Sequence, residues 1–444
     1  MPVGTAPPSG MRDFLPEDVR RREYVIGIIK RVYESYGFEP LETPAAENLE
    51  TLLGKYGDEG NKLIFKILKR GEHEASGEAD LALRYDLTVP LARVVAQHQA
   101  KLPRLFKRYQ IQPVWRADRP ARGRFREFYQ CDVDALGSPS PVVEAELCAA
   151  VADAMTALDF SDFVIRLNHR QLLTAVLKRA GFPPDREEAV LVGLDKLDKI
   201  GQEGVVKDWI GKGLGDQVTL VKAAKLLIEH LPTLEAAARF VSDDPAGQAA
   251  VANLRSVLAL VEKTSAGKSV KFDGTLARGL SYYTGAIMEV NVADLAGSLG
   301  GGGRYDNLVG MFSGQEIPAC GFSLGLERIL FVMSERGMFP PSLATTPADV
   351  MVAMFDASSA ADAMRVADQL RASGLRVFVY PDAEKIGKQI KYADGRGIPF
   401  VALLGDDEIK GGTVAVKDLV GQTQNMYSQA EAGAKILEAL KRRV

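Results

Sequence analysis

From Lys101 to Arg126 the chain reads KLPRLFKRYQIQPVWRADRPARGRFR, nine Lys or Arg against one acid, Asp118. Alternation inside this stretch restricts the backbone. Arg108, Gln110, Gln112, Val114 and Arg116 share one face of a strand, and Tyr109, Ile111, Pro113 and Trp115 share the other. After the turn-forming DRPARG the period of two resumes, placing Arg124, Arg126, Phe128, Gln130, Asp132 and Asp134 together. Two such runs around one turn predict a long hairpin with a polar face.

Guanidinium groups on a rigid sheet floor, with an aromatic ring among them, can grip phosphates and stack a nucleotide base. A solvated basic face would carry the same charges. Elsewhere the balance is even, 55 basic against 58 acidic residues for a net charge of -3, so contact with nucleic acid has to use local patches. The 444 residues suggest about three domains of ~150 residues each.

Cys131, Cys148 and Cys320 lack paired spacing, which argues against a disulfide framework and fits a reducing compartment. His73, His98, His169 and His230 have no metal-ligand spacing, so no metal-binding residue is expected. With no apolar leader and no long uncharged apolar run, the chain reads as cytoplasmic and independent of membranes.

Pro16 and Gly37 bracket a helix whose apolar face is Val25, Ile28, Ile29 and Val32. Short β-forming pieces then recur to about residue 170, predicting an antiparallel sheet with helices on one side. Residues 171–265 read as successive helices, such as QLLTAVLKRAG and VTLVKAAKLLIEHL, and form an expected helical insertion. Sheet character returns in GLSYYTGAIMEVNV, followed by SLGGGGRYDNLVG and GFSLGLERILFVM. The four glycines allow close backbone approach to a ligand or a flexible hairpin loop, and no Lys-Ser/Thr follows to make a Walker phosphate loop. Gly321 and Gly325 stand four apart, a helix-compatible spacing, and Glu327-Arg328 puts charge into an otherwise apolar helix. Arg328 then needs an anion, or else lies at the surface with its stem on the core.

Beyond the link MFPPSLATTPAD, strand and helix alternate through PADVMVAMF, LRVFVYP and IPFVALLG, a compact α/β domain at 346–444. Lys385, Lys388 and Lys391 recur there on a helix that meets phosphates or solvent.

Over nearly its whole length the chain resembles the histidyl-tRNA synthetases, a family of class II aminoacyl-tRNA synthetases. LARGLSYYTG and GGGGRYDNLVG resemble the two stretches peculiar to that family, WRADRPARGRFREF its motif 2, GFSLGLERIL its motif 3 and GFEPLETP its motif 1. The resemblance implies an α+β catalytic domain with a mainly antiparallel sheet, from 1–170 and 266–338, an inserted helical domain at 171–265 and an anticodon-binding-type α/β domain at 346–444.

It also implies residue roles. ATP is expected on Arg116 at the α-phosphate, Arg124 at the terminal phosphates, Phe128 under adenine, Arg328 over it and Asp118 in the motif 2 loop. Histidine is expected on Asp86 and Gln130 near its amino group, on Asp134, Tyr283 and Tyr305 around its imidazole, and on Thr88 and Tyr282. Arg278 is expected at the histidine and the α-phosphate, where it supports charge in the catalytic step with Arg116 and Gln130. Mg2+ would accompany ATP, held mainly by phosphate oxygens. The implied partners are L-histidine, a histidine tRNA and a second copy in a homodimer, with no DNA. Departures from the family pattern are Asp118 for glutamate, Ser281 for aspartate and Ala121 where many bacterial relatives carry glutamine to read an extra 5′ guanylate of the tRNA. The last implies weak dependence on that guanylate.

Overall fold

The computed structural model describes residues 4–71, 76–194, 196–277, 282–340, 343 and 346–442. The chain divides into two compact units, residues 1–15 with 21–338 and residues 16–20 with 339–444.

In the first unit the strands are β1 (Glu39–Pro40), β2 (Ala46–Asn48), β3 (Lys66–Leu68), β4 (Ala79–Leu83), β5 (Phe106–Trp115), β6 (Glu127–Leu136), β7 (Val164–His169), β8 (Val270–Phe272), β9 (Ala286–Asn291), β10 (Gly300–Arg304) and β11 (Ala319–Gly325). Eight of them form one sheet in the order β1-β5-β6-β11-β10-β9-β7-β8, while β2, β4 and β3 form a small second sheet. The interior of the large sheet is antiparallel and only its outer pairs, β1 with β5 and β7 with β8, are parallel.

The predicted hairpin is β5 and β6, in a register that sets Arg108 opposite Asp134, Gln110 opposite Asp132, Gln112 opposite Gln130 and Val114 opposite Phe128. Arg124 and Arg126 do not belong to β6 as the alternation had them. A tight turn closes on itself between Ala121 and Arg124, and the strand starts at Glu127. The Arg116 amide still donates to the Arg126 carbonyl at 2.8 Å, so the two chains run side by side to the turn.

Below this sheet lies the helix Pro141–Ala157, started by Ser140 as cap and Pro141 in its first turn. Its Leu147, Cys148, Val151 and Met155 are fully buried. Each burial of that size stabilises by roughly 1.5–3 kcal/mol, which keeps the helix on the apolar face and leaves the polar face of the hairpin for the site. The helix Pro16–Ser35 adds Val25, Ile28 and Ile29 to the core, while Val32 of the expected face is only partly covered and Tyr33 is buried instead.

Between β7 and β8 the described chain is helical: Arg170–Arg179, Glu187–Leu194, Leu197–Gly211, Gln217–His230, Leu234–Phe240 and Pro245–Val261. The first and last of these pack on each other, and the last also packs on Pro141–Ala157.

One glycine alternative is resolved and one glycine reading is corrected. The run 300–303 is not a flexible loop but the strand β10, and Cβ atoms at Gly300 and Gly302 would strike the backbone of β11. Gly321 and Gly325 are likewise in a strand, β11, and the helix begins only at Leu326. What Gly321 makes room for is the Asp134 carboxylate, which a Cβ there would overlap.

The second unit has β12 (Val350–Met354), β13 (Val377–Val379), β14 (Phe400–Leu404), β15 (Thr413–Asp418) and β16 (Thr423–Ser428), in the order β13-β12-β14-β15-β16. β12 is parallel to both neighbours, and β15 and β16 continue antiparallel. Val350, Val352 and Met354 enter one core with Val366 and Ile436, while Met351 and Ala353 enter another with Ala393. Both faces of β12 are therefore covered, the physical reason its sequence is apolar without alternation.

Candidate active site

A cleft of about 750 Å³ opens over β6, β10 and β11. Asp86, Thr88, Arg116, Asp118, Arg124, Phe128, Gln130, Asp134, Tyr282, Tyr283, Tyr305 and Arg328 all line it. Among the residues expected there, Arg278 lies outside the described residues, as does Ser281.

At one end stand the arginines. Arg116, one residue past β5, has its guanidinium 4.3 Å from the Tyr85 ring centre and 5.2 Å from that of Phe128, and its Nε donates to the Tyr85 carbonyl at 3.0 Å. Arg124 grips Asp118 with two N–H donors, at 3.1 and 2.7 Å. The aspartate thus holds Arg124 across the turn. Arg328, on the helix Leu326–Glu335, is partly buried, and its Nη1 donates to the Ser298 carbonyl at 2.5 Å. The fully buried charge on that helix is its neighbour Glu327, which accepts from the Tyr129 amide at 2.8 Å and faces Arg22 at 3.8 Å.

The other end holds acids and hydroxyls. Asp86 accepts from the Tyr56 hydroxyl and the Val89 amide, both at 3.0 Å, and from Tyr282 at 3.4 Å. Burial raises its pKa above the ordinary carboxylate range, and these hydrogen bonds together with the Arg116 charge oppose the rise. Asp134 accepts from the Tyr305 hydroxyl on Oδ1, and its Oδ2 lies 2.8 Å from Arg108 Nη2 in an ion pair. Tyr282 meets Tyr283 and Tyr305 edge to face, with ring centres 5.0 and 6.0 Å apart, which stiffens this wall. Gln130 donates to the Ser323 hydroxyl at 2.7 Å, and its Oε1 is buried without a partner among the described residues.

Sequence reasoning put Arg108 and Asp132 on the polar faces of the hairpin but gave them no role, and it missed Tyr56, Tyr85 and Ser323. Arg108 is completely buried, donating to Gln110 Oε1 at 3.1 Å and the Leu87 carbonyl at 3.3 Å besides its pair with Asp134. Counting the hairpin register outward from the turn would have found it, because that register sets Arg108 directly opposite Asp134. Glu188 and Val192, from the helical stretch, also reach the cleft and carried no sequence signal.

The chain has close relatives among known proteins. A family model described as Histidyl-tRNA synthetase covers residues 10–329, and one described as Anticodon binding domain covers 349–439. The Histidine--tRNA ligase of Cytophaga hutchinsonii is 41% identical over 97% of this chain and 99% of its own length, and that of Gloeobacter violaceus 42% identical over 97% and 98%. The crystal structure of histidyl-tRNA synthetase from Nostoc sp. PCC 7120 superposes with a TM-score of 0.80 at 31% identity, covering both chains completely. With its antiparallel catalytic sheet and its C-terminal anticodon-binding fold, the chain belongs to the histidyl-tRNA synthetase family of class II aminoacyl-tRNA synthetases.

Proposed function

We infer that this chain is an ATP-dependent ligase that joins histidine to its tRNA through a histidyl-adenylate, releasing pyrophosphate and AMP. The observation that carries the chemistry is the division of one cleft into an arginine and aromatic half and an acid and hydroxyl half. The first suits adenine and phosphates, the second an ammonium and an imidazole.

In the first step the histidine carboxylate attacks the α-phosphorus in line, and pyrophosphate leaves. Arg116 is proposed to hold the α-phosphate and Phe128 to lie under adenine, with Arg328 on the base's other side. Arg124 is proposed at the terminal phosphates, with Asp118 keeping its fork in place. Asp86, Thr88 and Gln130 would hold the amino group, Gln130 offering its open Oε1, while Asp134, Tyr282, Tyr283 and Tyr305 would surround the ring. Arg278 is assigned to the carboxylate and α-phosphate on resemblance alone. Positioning and fixed charge supply the acceleration, since effective molarities from orientation alone can lower a barrier by about 7–11 kcal/mol.

Magnesium would accompany the nucleotide and offset triphosphate charge, with no protein ligand assigned to it. We further propose a homodimer, supported by the exposed Leu68 and Leu81 of the small sheet and by a neighbouring groove of about 560 Å³ lined by Pro44, Leu81 and Phe312. Residues 171–265 are taken as an inserted helical domain and 346–444 as the domain that meets the anticodon, with the exposed Lys385, Lys388 and Lys391 as phosphate contacts. No described helix is long and apolar enough to cross a membrane, and three free, buried cysteines suit the cytoplasm proposed for it.

Pyrophosphate exchange into ATP, run with each amino acid in turn and without tRNA, tests the reading. Exchange is expected with histidine alone and is expected to be lost in Arg116→Ala. A folded wild type that exchanges with no amino acid would overturn it.

A further inference from the structure

Asp132 lies in the floor of the cleft, two residues before Asp134 on the same face of β6, and is 1% exposed. Its Oδ1 is buried with no hydrogen-bond partner among the described residues. Leaving such an oxygen unmet costs about 1–3 kcal/mol, which a ligand contact would return. Several elements bring groups to Asp132, and Tyr33 and Cys131 also feel its charge. Arg108, from β5, is 3.9 Å from its Oδ2; Asp134 is its neighbour on β6; Ser323, from β11, is in hydrogen-bonding contact; and Asp86 adds a further negative charge.

The two aspartates are not equivalent. Each has one oxygen without a hydrogen bond, but Asp134 takes the Tyr305 hydroxyl on Oδ1 and has Arg108 Nη2 2.8 Å from its Oδ2 in an ion pair, a charge that opposes the rise burial gives its pKa. Asp132 is more distant from that guanidinium, is as deeply buried, and feels the charge of Asp134. Burial, opposed by Arg108 and reinforced by Asp134, pushes its pKa up to about 7.

We propose that Asp132 reads the side chain of the amino-acid substrate, through one hydrogen bond between its open Oδ1 and a ring nitrogen of histidine that holds a single proton. This rests on the assignment of this half of the cleft to histidine. A neutral imidazole offers one donor and one acceptor. The protonated carboxyl of Asp132 donates to the acceptor nitrogen; with the proton moved across, the carboxylate accepts from an imidazolium. The atom count is the same in both forms, so the contact survives whichever partner carries the proton. A ring of equal size without that nitrogen leaves the buried oxygen unmet and is rejected.

The test is calorimetric binding of L-histidine to the full-length wild type, between pH 5.5 and 8, in buffers of different ionisation enthalpy. At pH 8 free Asp132 and free imidazole are both largely deprotonated and the complex holds one proton, so uptake approaching one proton is expected. At pH 5.5 both are protonated, and release is expected. Glu327 also lines the cleft and burial raises it to about 7, so Glu327→Gln is the control that keeps the uptake. Asp132→Asn keeps an N–H donor and is expected to lose the uptake while histidine KM rises less than about tenfold; Asp132→Leu is expected to raise it about a hundredfold, with ATP KM unchanged in both.

A wild type that binds histidine without proton uptake at pH 8 overturns the proposal alone, even if neither variant folds. Uptake that persists in Asp132→Asn, or histidine and ATP KM rising together in both variants, also overturns it. A wild type that binds no histidine overturns the assignment of the cleft and this proposal with it.

Discussion

Glu144, in the helix below the sheet, and Arg304, at the end of β10, form a two-point ion pair out of water, with Nε to Oε1 at 2.6 Å and Nη2 to Oε2 at 2.8 Å. Arg304 Nη1 donates to the Ser138 carbonyl and to Asp306, at 3.2 and 3.0 Å. The pair fixes the strand that carries Tyr305 into the cleft. Glu144→Ala leaves a guanidinium buried without its carboxylate and is expected to cost about 3–5 kcal/mol. Urea unfolding checks this; a loss below about 1 kcal/mol would mean that water reaches Arg304 freely.

Gly321 and Asp134 occupy neighbouring strands so closely that a Cβ on the glycine would overlap the carboxylate. Gly321→Ala should displace Asp134 from Tyr305 and Arg108, at an overpacking cost of about 1–3 kcal/mol. Histidine KM is expected to rise about tenfold or more while ATP KM stays within a factor of about two, because the nucleotide half of the cleft is untouched. Pyrophosphate exchange at varied histidine and varied ATP separates the two, and an unchanged histidine KM would refute the idea.

His169 caps the helix Arg170–Arg179, its Nδ1 accepting from the Gln171 amide at 3.2 Å. Burial first, and Arg304 second, lower its pKa from 6.5 to about 4. The unfolded chain takes a proton below pH 6.5 that the folded chain refuses until about pH 4. The stability contribution is therefore complete above pH 6.5 and is lost as pH falls through that window, about 3 kcal/mol in all at 1.36 kcal/mol per unit. Asparagine can cap a helix without titrating. His169→Asn should lose about 2 kcal/mol less than wild type between pH 7 and pH 5, measured by urea unfolding at both, and equal losses would show that His169 is not the group responsible.

How far the residues could be read without coordinates depended on whether the physics was local. The hairpin of β5 and β6 was legible because period-two alternation runs uninterrupted on both sides of DRPARG. The parallel strands of the second unit were legible from their unbroken apolar runs. Gly321 and Gly325 misled because a spacing of four is compatible with a helix, whereas the cause of Gly321 is a carboxylate on the adjacent strand, a contact distant in sequence. Arg108 was given no role for a related reason. An arginine in a basic run reads as exposed, and only the partner supplied by β6 lets it be buried. Asp132 was placed on the right face by alternation, yet its open oxygen depends on how three strands meet.

Ala121 flanks the tight turn at Arg122 and Gly123 that joins the two sides of the hairpin. Its carbonyl accepts from the Arg124 amide at 2.8 Å, its amide donates to the Arg124 carbonyl at 3.1 Å, and Gly123 supplies the left-handed residue the turn requires, at φ +69°. The backbone groups of Ala121 are thus spent on the turn, and its exposed methyl has nothing to offer a base edge. Where the family resemblance puts glutamine against the extra 5′ guanylate of the tRNA, this loop has no donor or acceptor at that position. Removing the guanylate should therefore lower aminoacylation kcat/KM by less than about tenfold, since no bidentate base contact worth about 1–3 kcal/mol is there to lose. In Ala121→Gln, which restores a side-chain amide at this position, the same deletion should cost more. Aminoacylation of the two tRNAs by both proteins decides it: a hundredfold loss with the native chain would place the guanylate contact elsewhere in the loop, with Arg119 and Arg122 the exposed residues to test next.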